Sequence, residues 1–91
     1  MRFEWDGDKD KVNIKKHGLP LVAGIAVWND DHRKEFIDTR ENYGEDRMMT
    51  IGMGINGVLF VCWTERDGET IRLISVRKAT KQEKALYNGN D

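Results

Sequence analysis

Cysteine and proline each occur once in these 91 residues, and no apolar run exceeds VLFVCW at 58–63. Each scarcity closes a class of explanation. The lone Cys62 permits neither an internal disulfide nor a multi-cysteine zinc site, which points to a reducing compartment, the cytoplasm. The longest apolar run falls far short of the ~20 residues a membrane-spanning helix needs. The opening MRFEWDGDKD is acidic and lacks the apolar core of an export signal. No proline-rich linker, internal repeat or low-complexity tract breaks the chain, so residues 1–91 read as one domain. At 34% charged and 38% apolar residues it has the hydrophobicity to fold around a single core.

Excess charge of one sign is also missing, since the formal net charge is −1. The distribution is uneven, however. Residues 29–46 hold three Lys or Arg against seven Asp or Glu, whereas residues 66–84 hold six against three. An acidic middle beside a basic C-terminal third suits a molecule that presents one face to phosphates and another to a basic protein partner.

What is present reads as helices followed by strands. Phe3 and Trp5 mark a short first strand. Asp6, Asp8 and Asp10 then precede Lys15, Lys16 and His17, the order that complements a helix dipole, and Gly18 and Pro20 stop that helix. Apolar residues at helical spacing predict a second helix over 19–28 despite Gly24. Phe36 and Ile37 mark a short strand, and residues 39–46 form a polar loop containing Gly44. Asn56-Gly57 and Asp67-Gly68 are two-residue hairpin signals, so antiparallel strands are expected at about 47–55, 58–66 and 69–78. The middle strand carries apolar groups on both parities and is therefore central. Thr80 and Glu83 stand in capping-box relation and start a terminal helix. The expected class is α+β, with N-terminal helices and a C-terminal helix packed on an antiparallel sheet.

Several apparent motifs dissolve on inspection. GMGING at 52–57 matches the dinucleotide-binding pattern literally, but that pattern works between a strand and a helix, and here antiparallel strands flank it. Cys62 lies mid-strand among apolar residues with no adjacent base, which makes it structural. His17 and His32, with Asp30 and Asp31, lack the spacing of a metal site. His17 keeps a separate interest. It falls at a helix C-terminus, where positive charge is favoured, and histidine exchanges protons near neutral pH. The apolar strand ending in Arg77 and Lys78, just before the capped helix, raises a further question. Charge there opposes the helix dipole, so either the two side chains leave the core at a strand end or they form a phosphate-binding corner.

Five stretches in order, FEWD at 3–6, KHG at 16–18, YGEDR at 43–47, WTER at 63–66 and IRLISVRKATKQEKALY at 71–87, resemble the BrnT-type toxins of bacterial type II toxin-antitoxin systems. Trp63 stands where that family often has tyrosine, and residues 32–42 match no family pattern. The resemblance implies a RelE-like fold, a ribonuclease that arrests translation without a cofactor, and a BrnA-type antitoxin with a ribbon-helix-helix region. Operator DNA would be bound only through that antitoxin, with a toxin dimer possible inside the complex.

Metal-independent RNA cleavage needs a group to activate the 2′-hydroxyl, a proton donor for the leaving 5′-oxygen, and cations for the charged phosphorane. The candidate cations are Arg66, Arg72, Arg77 and Lys78, and the candidate for proton transfer is His17, with Glu45 and Glu65 as further carboxylates that equally suit ion pairs with Arg47 and Arg66. Lys16, Lys81 and Tyr87 are candidate RNA contacts, Tyr87 by stacking on a base or else by packing on the sheet. Arg66 and Arg77 are on the order of 25 Å apart at ~3.3 Å per strand residue, so the cations do not converge on one phosphate. Strict alternation puts Arg72 and Lys78 on one face with Ile74 and Val76, and Arg77 opposite with Ile71, Leu73 and Ser75. The competing class is a non-enzymatic module that binds protein or nucleic acid. It predicts harmless expression where a toxin predicts growth arrest.

Overall fold

The computed structural model describes residues 1–40 and 44–89. The elements are β1 (Arg2–Glu4), α1 (Gly7–His17), a 3-10 helix (Leu21–Asn29), β2 (Lys34–Asp38), β3 (Arg47–Gly54), β4 (Gly57–Arg66), β5 (Thr70–Lys78) and α2 (Lys81–Tyr87). The strands form one sheet in the order β1-β5-β4-β3-β2. Residues 41–43 of the expected polar loop lie outside the described residues.

Local chemistry sets the helix ends. Asp6 caps α1 by accepting from the Lys9 N–H at 3.4 Å, and Gly18, at φ 75°, ends it by donating its N–H to the Ile14 carbonyl at 2.8 Å. Thr80 and Glu83 form the full capping box of α2. The β4–β5 turn uses Asp67 and Gly68, both at positive φ, the conformation that matches the twist of a two-residue hairpin. GMGING is the end of β3 and the turn into β4.

Three expectations need correction. The segment over 19–28 is a 3-10 helix rather than an α-helix. Its β-branched Val22, Ile25 and Val27 disfavour the α form, and it lies flat on the sheet, so close that a Cβ on Gly24 would stand 2.7 Å from a Val76 methyl. The sheet is mixed, because β1 returns to pair in parallel with the start of β5, Arg2 opposite Thr70 and Glu4 opposite Arg72. Finally, alternation along β5 is broken. Cys62 pairs with Ser75 and Trp63 with Leu73, which leaves Ile74 as the extra residue of a β-bulge.

That bulge reassigns the faces. Residues directly opposite in a ladder share a face, so Ile71, Leu73, Val76 and Lys78 lie with Leu59, Val61 and Trp63, whereas Arg72, Ser75 and Arg77 lie with Phe60, Cys62 and Thr64. Arg72 and Lys78 therefore occupy opposite faces, and Arg72 and Arg77 share one. The first face is the core, closed by Leu21 and Val27 of the 3-10 helix. Trp28 stands there edge-on between Phe3 and Trp63 at 5.1 and 5.4 Å, and Trp63 donates to the Thr50 hydroxyl at 2.7 Å.

Beyond the short β1, the β5 edge is covered by α1 rather than by a strand. Buried Asn13 of α1 accepts from the Val76 N–H at 3.1 Å and donates to the Val76 carbonyl at 2.9 Å and the Leu19 carbonyl at 2.7 Å. One side-chain amide thus stands in for a neighbouring strand. Asn13→Ala leaves two buried backbone groups of β5 unpaired and is expected to cost about 3 kcal/mol, measurable as a lower urea midpoint.

Candidate functional site

The face of the sheet away from the core carries the charges. Register places Glu4, Arg72, Thr64, Arg47 and Asp38 in one row across all five strands, and Arg2, Thr70 and Arg66 in the next. Arg72 is held by Glu4 at 2.6 Å. Glu45 lies between two cations, 3.2 Å from Arg66 and 3.7 Å from Arg47, and the Thr64 hydroxyl donates to the Asp46 carbonyl at 2.7 Å, fixing the chain that carries Glu45. Glu45 thus has both ion-pair partners, whereas Glu65 pairs across the ladder with Ile71 on the other face. Neighbouring rows stand about 6.6 Å apart, so Arg66, Arg72 and Arg47 form one cluster around Glu45 and Thr64.

Arg77 occupies the same face farther along β5. Its guanidinium makes two parallel bonds to Glu83, at 2.7 and 2.8 Å, and lies 4.2 Å over the Phe60 ring. Lys78 points the other way, into a hollow lined by Leu19, Ala23, Ile55 and Leu59. The two residues at the end of β5 are therefore not a joint phosphate clamp, because adjacent strand residues face opposite sides. The cation that opposes the α2 dipole is offset by Glu83 from within α2 itself. Burial raises the Glu83 carboxyl pKa, but the Arg77 bonds and the Thr80 N–H outweigh it and hold the carboxyl below its ordinary value. A depressed carboxylate contributes stability that is present above its unfolded pKa of about 4 and lost as pH falls through the folded one. Stability is accordingly expected to drop on acidification below pH ~4, with a shallower slope in Glu83→Gln, whose amide still serves the capping box. The same variant releases Arg77 and is expected to bind RNA about tenfold more tightly, measurable by filter binding.

His17, the last residue of α1, reaches this face from the side. It lines a cleft of about 270 Å³ with Asp8, Lys9, Lys16, Ile74 and Ser75. Ser75 belongs to the charged face, between Arg72 and Arg77. The helix that covers the edge of the bulged strand therefore brings the histidine to β5 at Ser75, between the positions of Arg72 and Arg77, with Lys16 exposed beside it. Arg66 stands apart. It is six β4 residues from Phe60, the partner of Arg77, about 20 Å.

Of the remaining candidates, Lys81 is exposed at the first position of α2. The Tyr87 hydroxyl donates to Asp30 at 2.6 Å, and Asp30 also accepts from the Met53 and His32 N–H groups at 2.8 and 2.9 Å. The Tyr87 bond, then that of Met53, lowers the Asp30 pKa, and the Asp30 contact raises that of Tyr87. Tyr87 thus ties α2 to the start of the β2 hairpin. Burial pushes the Cys62 thiol pKa up, away from nucleophilic character. The acidic middle is largely spent inside the molecule: Asp30 on Tyr87, Glu35 on Arg33, Asp38 on Arg40 and Glu45 on Arg47 and Arg66.

Sequence reasoning missed Glu4, Thr64 and Ser75 as members of this face, and Glu83 as the counterion of Arg77. Ser75 left a trace, a polar residue inside an apolar strand. Glu4 left none, since its partner is 68 residues away.

Comparison with known proteins bears on this geometry. The fold matches the 1.1 Å crystal structure of the Brucella abortus ribonuclease toxin BrnT with a TM-score of 0.69 and 26% identity, over 89% of this chain and 99% of that one. No curated protein sequence matches. The model of the family described as "Ribonuclease toxin, BrnT, of type II toxin-antitoxin system" matches residues 5–83, a span that includes His17, the Glu45–Arg66 cluster and the bulged β5 with Arg72 and Arg77. The chain belongs to the BrnT ribonuclease toxins of type II toxin-antitoxin systems.

Proposed function

We propose that this chain is a metal-independent endoribonuclease with a RelE-like arrangement, which inhibits translation by cutting RNA in the cytoplasm. In this reading it is held inactive by a BrnA-type antitoxin with a ribbon-helix-helix region, as a toxin dimer within the complex, and reaches operator DNA only through that antitoxin. The observation that carries the nuclease assignment is the opening of the His17 cleft at Ser75, between Arg72 and Arg77 on one face.

The chemistry follows from what those groups do. The 2′-oxygen bonds to phosphorus as the bond to the 5′-oxygen breaks, leaving a 2′,3′-cyclic phosphate and a 5′-hydroxyl. His17 transfers a proton at one of these oxygens. Arg72 donates to the non-bridging oxygens as charge builds on them, a task suited to a guanidinium already aimed by Glu4. Arg77 takes the adjoining phosphate by exchanging Glu83 for it. Arg66, with Glu45 as its orienting carboxylate and a further proton-transfer candidate, holds RNA farther along the face. Lys16 and Lys81 add exposed charge to the path, and Tyr87 acts through the α2 attachment or against a base. Lys78 and Glu65, on the opposite face, contribute from outside this path.

The test is incubation of the purified chain with RNA in EDTA, followed by end-group analysis. Fragments ending in cyclic phosphate, accompanied by growth arrest on expression, are the expected result. Intact RNA and unimpaired growth with a folded chain would establish the binding-module alternative.

A further inference from the structure

The opposite edge of the sheet has a different character. The outer side of β2 pairs with no strand among the described residues. Natural edges are blunted by charge or cover, yet Phe36 is 37% and Ile37 65% exposed in the centre of this one. Phe36 continues into a groove of about 410 Å³ between the sheet and α2, whose apolar lining is completed by Met49, Ile51, Phe60 and Leu86, whereas Ile37, opposite Met48, projects from the other face of the same edge.

The rim is cationic toward solvent. Arg40 is 63% exposed while its partner Asp38 is fully buried, Arg77 is 30% exposed against 17% for Glu83, and Lys34 stands exposed on the same edge. In each pair the carboxylate is the more buried partner and the guanidinium the more exposed one. An occupant must therefore satisfy three demands: backbone groups for a free strand edge, apolar side chains for the groove, and carboxylates for its rim.

We infer that β2 and this groove bind an extended segment of the antitoxin, apolar and acidic in alternation, which adds to β2 as a sixth strand. Strand addition supplies hydrogen bonds from the backbone, while alternate side chains enter the pockets. The floor favours protein over RNA, because three of its five apolar side chains, Met49, Ile51 and Leu86, offer no ring to stack a base, and the Phe60 ring is already covered by Arg77. The occupant also lies over Arg77, so docking there withdraws a cation from the RNA face. The inference rests on the toxin reading and adds to it the place and chemistry of neutralisation.

The experiment uses the full-length chain co-expressed with the antitoxin encoded beside it. Amide exchange is compared between the free chain and the complex, and affinity is measured for the wild type, Ile37→Arg and Arg40→Glu. Ile37 is mostly exposed and lies outside the proposed nuclease residues, so Ile37→Arg should fold and cleave RNA like the wild type. The expected result is protection of the N–H groups at 34–38 in the complex and a loss of antitoxin affinity of about 30-fold or more in each variant. Full affinity in both variants, protection confined to other elements, or absence of a complex with the wild type would overturn the inference. Loss of RNA binding instead of antitoxin binding in Ile37→Arg would also overturn it and assign the groove to RNA. RNA cleavage by the free wild-type chain is read separately, so failure of the nuclease reading is distinguishable from failure of this one.

Discussion

Arg72→Ala is expected to lower the rate of RNA cleavage by about 100- to 1000-fold, the loss typical of removing one preorganised donor from developing negative charge. Arg72 lies in the charged row between Glu4 and Thr64 and is aimed by Glu4 at 2.6 Å. The half-exposed pair it forms with Glu4 contributes little to folding, about 0–1 kcal/mol, so the urea midpoint should barely move. Arg72→Lys keeps the charge and loses the fork that bonds two phosphate oxygens together, and it should recover only part of the rate. Single-turnover cleavage of a short RNA, with denaturation curves of the same preparations, checks all three statements. A variant as active as the wild type would remove Arg72 from the chemistry and leave it as the partner of Glu4.

His17→Ala is expected to lower the same rate by about 100- to 10,000-fold, the range for losing a positioned proton-transfer group, and to change the shape of its pH profile. The second readout matters because His17 also ends α1. A merely structural histidine would alter stability or RNA affinity and leave the pH profile intact. The histidine stands in a cleft shared with Ser75, so it reaches the charged face only where the β1 pairing has ended and α1 covers β5 instead. Retention of both the rate and the profile would shift proton transfer to Glu45, the carboxylate beside Arg66.

The legible parts of the molecule are those in which cause and effect lie close in the chain. Asp6 and Gly18 delimit α1, Thr80 and Glu83 start α2, and Asp67-Gly68 turns β4 into β5, each through contacts a few residues apart. The central place of β4 was readable because its apolar residues fall on both parities. Misassignment of the cations has one physical origin. Ile74 is the bulged residue, and it is as apolar as its neighbours, so the hydrophobic pattern of IRLISVRK carries no mark of the broken alternation. Reading on with period two interchanges the faces of every residue beyond it. Arg72 and Arg77 then appear on opposite faces when they share one, and Lys78 appears beside Arg72 when it faces the core side. The acidic middle misled for a related reason: composition counts carboxylates but does not see that Asp38 and Glu45 already hold arginines.

By itself the sequence determined the α+β class, the helix caps, the hairpin turns and the membership signalled by KHG, YGEDR and IRLISVRK, because these depend on local backbone preferences and on residue order. Only the tertiary structure decided which charges meet. The parallel return of β1 sets Glu4 on Arg72, 68 residues away, Asn13 replaces a strand at Val76 across 63, and Tyr87 fastens α2 to Asp30 across 57. Contacts of that separation are fixed by how the sheet closes and where its edge is covered, and no short stretch of sequence contains both partners.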